Sequence, residues 1–272
     1  MTEKNILADE TVFKSFDGAS IRIYIARPSD SGTYPGLLIV QEIWGLENNI
    51  KDIARRFAKQ GFVAVAPHLY SRPGQNEILT PENIESAMTK MWALPLDKRR
   101  DMKAVESLTS TLGEKERKVL DLIFKGREKL EENMIKDLLE LYKFVQTLPY
   151  VNSAKIGGTG FCMGGGLIFQ LSTMTDLSAT VVFYGSNPKP IEDVSKIKGK
   201  VLGLYAGEDL NINAGLPALI EQFVKSKKEF ELKIYEGALH AFFNDTRPTY
   251  NKAVATDAWN RALEFFNRNL KQ

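Results

Sequence analysis

The chain has 272 residues, with 36 Lys+Arg against 34 Asp+Glu, for a formal charge of +2. So small an imbalance excludes a bulk electrostatic grip on nucleic acid or on an anionic membrane. The single cysteine excludes an internal disulfide and fits a reducing compartment. The N-terminal stretch "MTEKNILADETVF" lacks an apolar run of signal-peptide length. No segment reaches the roughly 18–20 apolar residues of a membrane span, so a cytoplasmic protein is expected.

In chain order, "ETVFKSFDGASIRIYIARP" alternates apolar positions on both sides of Asp17-Gly18 and predicts a hairpin. "YPGLLIVQ" is a short apolar run typical of a buried strand. "NNIKDIARRFAKQG" sets Ile50, Ile53, Ala54, Phe57 and Ala58 on one helical face, with Gly61 as the stop. "FVAVAP" is a second buried strand, completing a strand–helix–strand unit and so the start of a parallel sheet. Residues 95–132 interrupt the rhythm with a run dense in charges and helix formers. Two readings stay open for it: a solvated helical excursion, or a cap over the site. The unit then recurs. "MIKDLLELYKFVQTLP" is a helix, "AKIGGTGF" a strand, "MGGGLIFQLSTM" a helix, and "ATVVFYG" and "KVLGLYAG" are strands. "LPALIEQFVKSK" is a helix and "FELKIYEG" a strand. "YNKAVATDAWNRALEFFNRNL" closes the chain as a helix with Ala255, Ala258, Trp259, Ala262 and Phe266 inward. The expectation is one α/β domain over residues 1–272, a doubly wound, mostly parallel sheet with an antiparallel N-terminal hairpin and a helical insertion.

The lone cysteine stands in "GTGFCMGGG" as G-x-C-x-G, where many hydrolases carry the serine of G-x-S-x-G. At a strand-to-helix turn, Cys162 would lie at a helix N-terminus. There the dipole favours thiolate, and free N–H groups, first that of Met163, hold an oxyanion. A purely structural glycine turn is the alternative. A dinucleotide loop fits less well, because Met163 fills the third glycine position of G-x-G-x-x-G.

A thiol nucleophile needs a base, and the chain has two histidines, His68 and His240. His240 follows the last predicted strand. In the order nucleophile, acid, histidine, the acid should follow "KVLGLYAG", where "GEDLN" supplies Glu208 and Asp209. Asp209 is preferred, since a short carboxylate in a tight turn holds an imidazole rigidly. His68, at the end of "FVAVAP", lines the pocket or is an ordinary loop histidine. Glu42, in "QEIWG", shares its loop with Ile43, whose N–H is the expected second oxyanion donor; a solvent-exposed acid is the alternative for Glu42. One cysteine and two distant histidines make no compact ligand set, so neither metal nor cofactor is expected.

Taken together, "QEIWG", "APHLYSRPG", "GFCMGG", "GEDLNINAG", "LHAFFNDTRPTYN" and "AWNRALEFF" resemble the dienelactone hydrolase (carboxymethylenebutenolidase) family of α/β-hydrolases. The matching pieces run from the first buried strand to the C-terminus and leave out only the charged insertion. The resemblance implies an α/β-hydrolase fold and hydrolysis of a small-molecule ester or lactone through an acyl-enzyme. It implies a triad of Cys162, Asp209 and His240, with Glu42 as a fourth participant that holds the resting thiol. Members acting on dienelactone clamp a substrate carboxylate with two arginines. Arg72 matches the one on the "LY-x-R" loop. At the other position, four residues after the histidine, this chain has Asn244, with Arg247 three residues later. An asparagine lacks the bidentate ionic contact of a guanidinium, so the implied clamp is weaker here or recruited elsewhere. The rival class is a non-hydrolytic redox-responsive or ligand-binding protein on the same fold.

Overall fold

The computed structural model describes residues 3–95, 98 and 101–271, with no side-chain description for Met102. Eight strands form one sheet in the order β1-β2-β4-β3-β5-β6-β7-β8. They are β1 (Ile6–Lys14), β2 (Ser20–Pro28), β3 (Tyr34–Val40), β4 (Val63–Pro67), β5 (Val151–Phe161), β6 (Ala179–Phe183), β7 (Lys200–Ala206) and β8 (Phe230–Tyr235). β1 and β2 pair antiparallel, as do β2 and β4, and every later pairing is parallel. β3, flanked by β4 and β5, marks the point where the order reverses, and the crevice above such a point is where ligands bind in sheets of this kind.

Two elements extend beyond their sequence patterns. β1 begins at Ile6, four residues before the predicted hairpin, because pairing with β2 supplies backbone partners that its exposed side chains do not advertise. β5 begins at Val151, where Val151 and Asn152 pair with Tyr34 and Pro35 before the register shifts between Pro35 and Gly36. That irregularity hides the first turn of the strand from an alternation reading.

Both sheet faces are covered. On one lie α1 (Asn48–Lys59) and α9 (Lys252–Leu270), whose Ile53, Phe57, Ala258, Ala262 and Phe266 pack against Leu37, Ile39, Val181 and Leu204. Trp259 is only partly buried; it packs on Phe57, with the Arg56 guanidinium 4.0 Å from its ring centre. On the other face lie α5 (Arg127–Thr147), α6 (Met163–Ser172) and α8 (Leu216–Lys225). The charged stretch is helical: α3 (Met102–Thr111), α4 (Glu114–Leu120), a π-helical turn over Asp121–Lys125 and the start of α5. It is not uniformly solvated. Leu112, Val119, Leu120, Ile123 and Leu130 are buried in the same cluster as the sheet, together with Ile84, Met88 and Met91 of α2 (Pro81–Ala93). Leu96, Asp97, Arg99 and Arg100 of that stretch lie outside the described residues. Among the described residues, no helix is long and apolar enough to cross a membrane.

Candidate active site

The candidate residues follow the C-terminal ends of β3, β4, β5, β6, β7 and β8, which share one edge of the sheet. β5 turns directly into α6 through Cys162, with φ 54° and ψ −117°. The Cys162 N–H donates to the Phe183 carbonyl at 3.1 Å, and its own carbonyl accepts from Gly166 N–H at 3.2 Å. These bonds hold a non-glycine residue in a sparsely populated conformation, as happens where a structure over-determines a functional turn. The flanking glycines are a steric requirement. A Cβ on Gly160 would stand 2.0 Å from the Gly164 carbonyl oxygen, and one on Gly164 would stand 2.3 Å from that of Gln41. Strand, helix and the loop after β3 therefore meet backbone to backbone around the thiol.

Cys162 is half-buried, and its charge acts on His240. His240 Nδ1 is bonded to Asp209 Oδ2. Asp209 caps the short helix α7 (Leu210–Asn213), its Oδ1 accepting from Ile212 N–H at 3.4 Å, while Glu208 points to solvent. Burial alone would lower the imidazole pKa. The charge of Cys162 and the Asp209 hydrogen bond outweigh it and push the value up to about 11.

Glu42 is buried, with Oε1 accepting from the Tyr184 hydroxyl at 3.1 Å and Oε2 from Asn244 Nδ2 at 2.7 Å. Burial pushes its carboxyl above the usual range, against the pull of Asn244, the His240 charge and Tyr184. Asn244 is itself fixed, its Oδ1 accepting from the Thr246 N–H and hydroxyl. Tyr184 escaped the sequence reading although it follows β6 as the other candidates follow their strands. Its φ is 38°, Ala241 next to His240 in the chain has φ 65°, and the Tyr184 ring lies 5.0 Å from the His240 ring. Burial, followed by the Glu42 and Cys162 charges, raises the Tyr184 phenol well above its ordinary value.

Three other candidates stand apart from the thiol. Arg72 is buried, and Asp137 of α5 takes its Nε at 2.8 Å and its Nη2 as well. Asp17 in the β1–β2 turn takes Nη1 at 2.7 Å. Its donors are directed into the protein, between hairpin and helix, rather than toward a pocket mouth. His68 is surrounded by Arg22, Lys51 and Glu10, and burial, reinforced by Arg22, drops its pKa to about 4. Arg247 stacks 3.6 Å from the Trp44 ring centre and pairs with Glu47 at 2.9 Å and Glu85 at 2.7 Å. It thereby ties α2 to the loop after β3, where Trp44 also meets Trp92 edge-on at 5.1 Å. Its charge reaches Glu42. Among the described residues, no group of three or more His, Cys, Asp or Glu is arranged to hold a metal ion.

The dienelactone hydrolase family model matches residues 21–270. A Saccharolobus solfataricus protein provisionally named carboxymethylenebutenolidase is 48% identical over 96% of this chain and 98% of its own length. A Synechocystis protein of the same provisional name is 31% identical, over 91% and 92%. The crystal structure of a Klebsiella pneumoniae protein provisionally titled a dienelactone hydrolase is 26% identical. It superposes with a TM-score of 0.73 over 97% of this chain and 100% of that one.

Proposed function

The chain belongs to the dienelactone hydrolase family and is a hydrolase of carboxylic ester or lactone bonds, and from that premise we propose that Cys162 is its nucleophile. The observation that carries this reading is the bonded His240–Asp209 pair within reach of the charge of a thiol held at a strained turn. In the first half-reaction, the Cys162 sulfur attacks the substrate carbonyl carbon. The developing oxyanion is received by the N–H groups of Ile43 and Met163; as the first residue of α6, Met163 has no intrahelical acceptor for its N–H. His240 passes its proton to the departing alkoxide, leaving a thioester on Cys162. In the second, His240 takes a proton from water and the hydroxide so formed attacks the thioester; the C–S bond breaks to restore the Cys162 thiolate beside protonated His240, and the carboxylic acid leaves, giving its proton to solvent. Asp209 keeps the imidazole in the tautomer both steps need. Glu42, held by Tyr184 and Asn244, is a buried acid beside this line.

Arg72 enters this reading as a structural residue, because a substrate carboxylate would have to displace Asp137 and Asp17 to reach its guanidinium. Neutral esters and lactones are therefore the favoured substrates. The test is rapid mixing with p-nitrophenyl acetate. A burst of nitrophenol stoichiometric with enzyme, and an acetyl group found on Cys162 after acid quench, are expected. Turnover with no Cys162 adduct, or no turnover at all, sinks the proposal. The second outcome favours a redox-responsive or ligand-binding protein on this fold.

A further inference from the structure

The loop that carries Ile43 is gripped from the loop after β4 at two points, one on either side of Glu42. Gln41 Oε1 accepts from the Leu69 N–H at 3.2 Å. The hydroxyl of the next residue, Tyr70, donates to the Ile43 carbonyl at 3.0 Å and lies 3.9 Å from the Met163 sulfur. Tyr70 is fully buried. Its ring packs on the turn at Gly45, whose φ is +89° and where a Cβ would touch the ring at 3.4 Å. One hydroxyl thus contacts both residues whose amides would receive the oxyanion, and the charge of Cys162 reaches it.

We infer that Tyr70 is a positioning residue: by holding the Ile43 carbonyl and touching the Met163 sulfur, it fixes where the turn carrying the Ile43 N–H stands against the start of α6, and so the spacing of the two oxyanion-binding amides. An amide donor is worth most when it is already aimed at the place where charge develops, and a small misplacement erodes that advantage. The Ile43 N–H shares its peptide with the Glu42 carbonyl, which accepts from the Gly45 N–H at 3.3 Å inside the turn; the Tyr70 hydroxyl holds the next peptide and so fixes where the whole turn stands. The inference rests on the thiol-hydrolase reading above.

Tyr70→Phe keeps the ring and its packing and removes only the hydroxyl. Against p-nitrophenyl acetate, kcat should fall about tenfold or more with KM within about twofold. Affinity for an aryl trifluoromethyl ketone, which forms a tetrahedral oxyanion on the thiol, should fall in parallel. Alkylation of Cys162 by iodoacetamide, which forms no oxyanion, should stay within about twofold, and the thermal midpoint should report an intact fold. Equal ketone affinity in both proteins overturns the role of Tyr70 alone, as does a parallel fall in alkylation, which would mean that Tyr70 acts on the thiol itself. A variant that fails to fold overturns it too, by making the hydroxyl structural. A wild-type protein that neither turns over ester nor binds the ketone, while still alkylating, removes the hydrolase reading and this inference with it.

Discussion

Two buried carboxylates, Asp137 and Glu42, sit in opposite company. Asp137 receives a guanidinium and the Ser15 hydroxyl; Glu42 receives a phenol and an amide, both neutral. In the first cluster a cation offsets the cost of burying the charge. In the second, burial is opposed only by neutral donors and by charges at a distance, so the carboxyl is lifted toward the working range. The same carboxylate group, fully buried in both places, serves the frame in one and borders the candidate reacting groups in the other. What differs is the charge that faces it.

If that division is right, damage to the thiol region should cost rate with little stability, and damage to the Arg72 region should cost stability with little rate. The largest effect is expected from Asp209→Asn, which keeps the shape of the acid and loses its charge. A fall in kcat of about 10³–10⁴ is expected, with a denaturation midpoint close to wild type. Should Glu208→Gln prove the more damaging change, the acid has been misassigned.

Next in size is Asp137→Asn. Removing the buried partner leaves Arg72 with only the exposed Asp17 as counter-charge, at a cost of up to about 3–5 kcal/mol in urea unfolding. Per folded molecule, kcat/KM for a neutral ester should be unchanged. A large loss of rate in the folded fraction would dissolve the distinction between the two regions.

A subtler contrast concerns pH. The folded-state pKa of Glu42 is raised, so the native protein holds that proton more tightly than the unfolded chain does. Its contribution to stability therefore falls as pH rises from about 4.3, the ordinary glutamate value, through the folded value, and is constant beyond. Glu42→Gln should abolish this fall. Stability measured by urea from pH 4 upward should thus diverge progressively in favour of the variant, whatever constant offset the lost acceptor imposes. Parallel curves would mean that Glu42 is ionised throughout.

The smallest effect should come from the exposed counterpart of the buried pair. Glu85→Gln breaks the outer contact of Arg247, but Glu85 is 55% exposed and Glu47 remains. A loss of about 0.2–1 kcal/mol is expected, vanishing in high salt. A loss matching that of Asp137→Asn would show that the α2 clasp, too, belongs to the frame.

These contrasts also separate what was legible in the residues from what was not. Cys162, Asp209 and His240 could be proposed from the chain because each has a local signature. Glycines flank the thiol where backbones collide, and each group follows an apolar strand in the expected order. The sheet was legible for the same reason, since apolar runs and helical periodicity are properties of short windows. Arg72 has the same kind of address, just past the end of β4, yet its partners Asp137 and Ser15 lie 65 and 57 residues away and draw its guanidinium inward. Glu42 likewise depends on Tyr184 and Asn244, 142 and 202 residues distant, and Ile43 on the hydroxyl of Tyr70 from a neighbouring loop. The sequence by itself determined which strand end carries each group. Only the tertiary structure decided what each group faces, because charge interactions depend on separation and on the surrounding dielectric, and both are set by elements far apart in the chain.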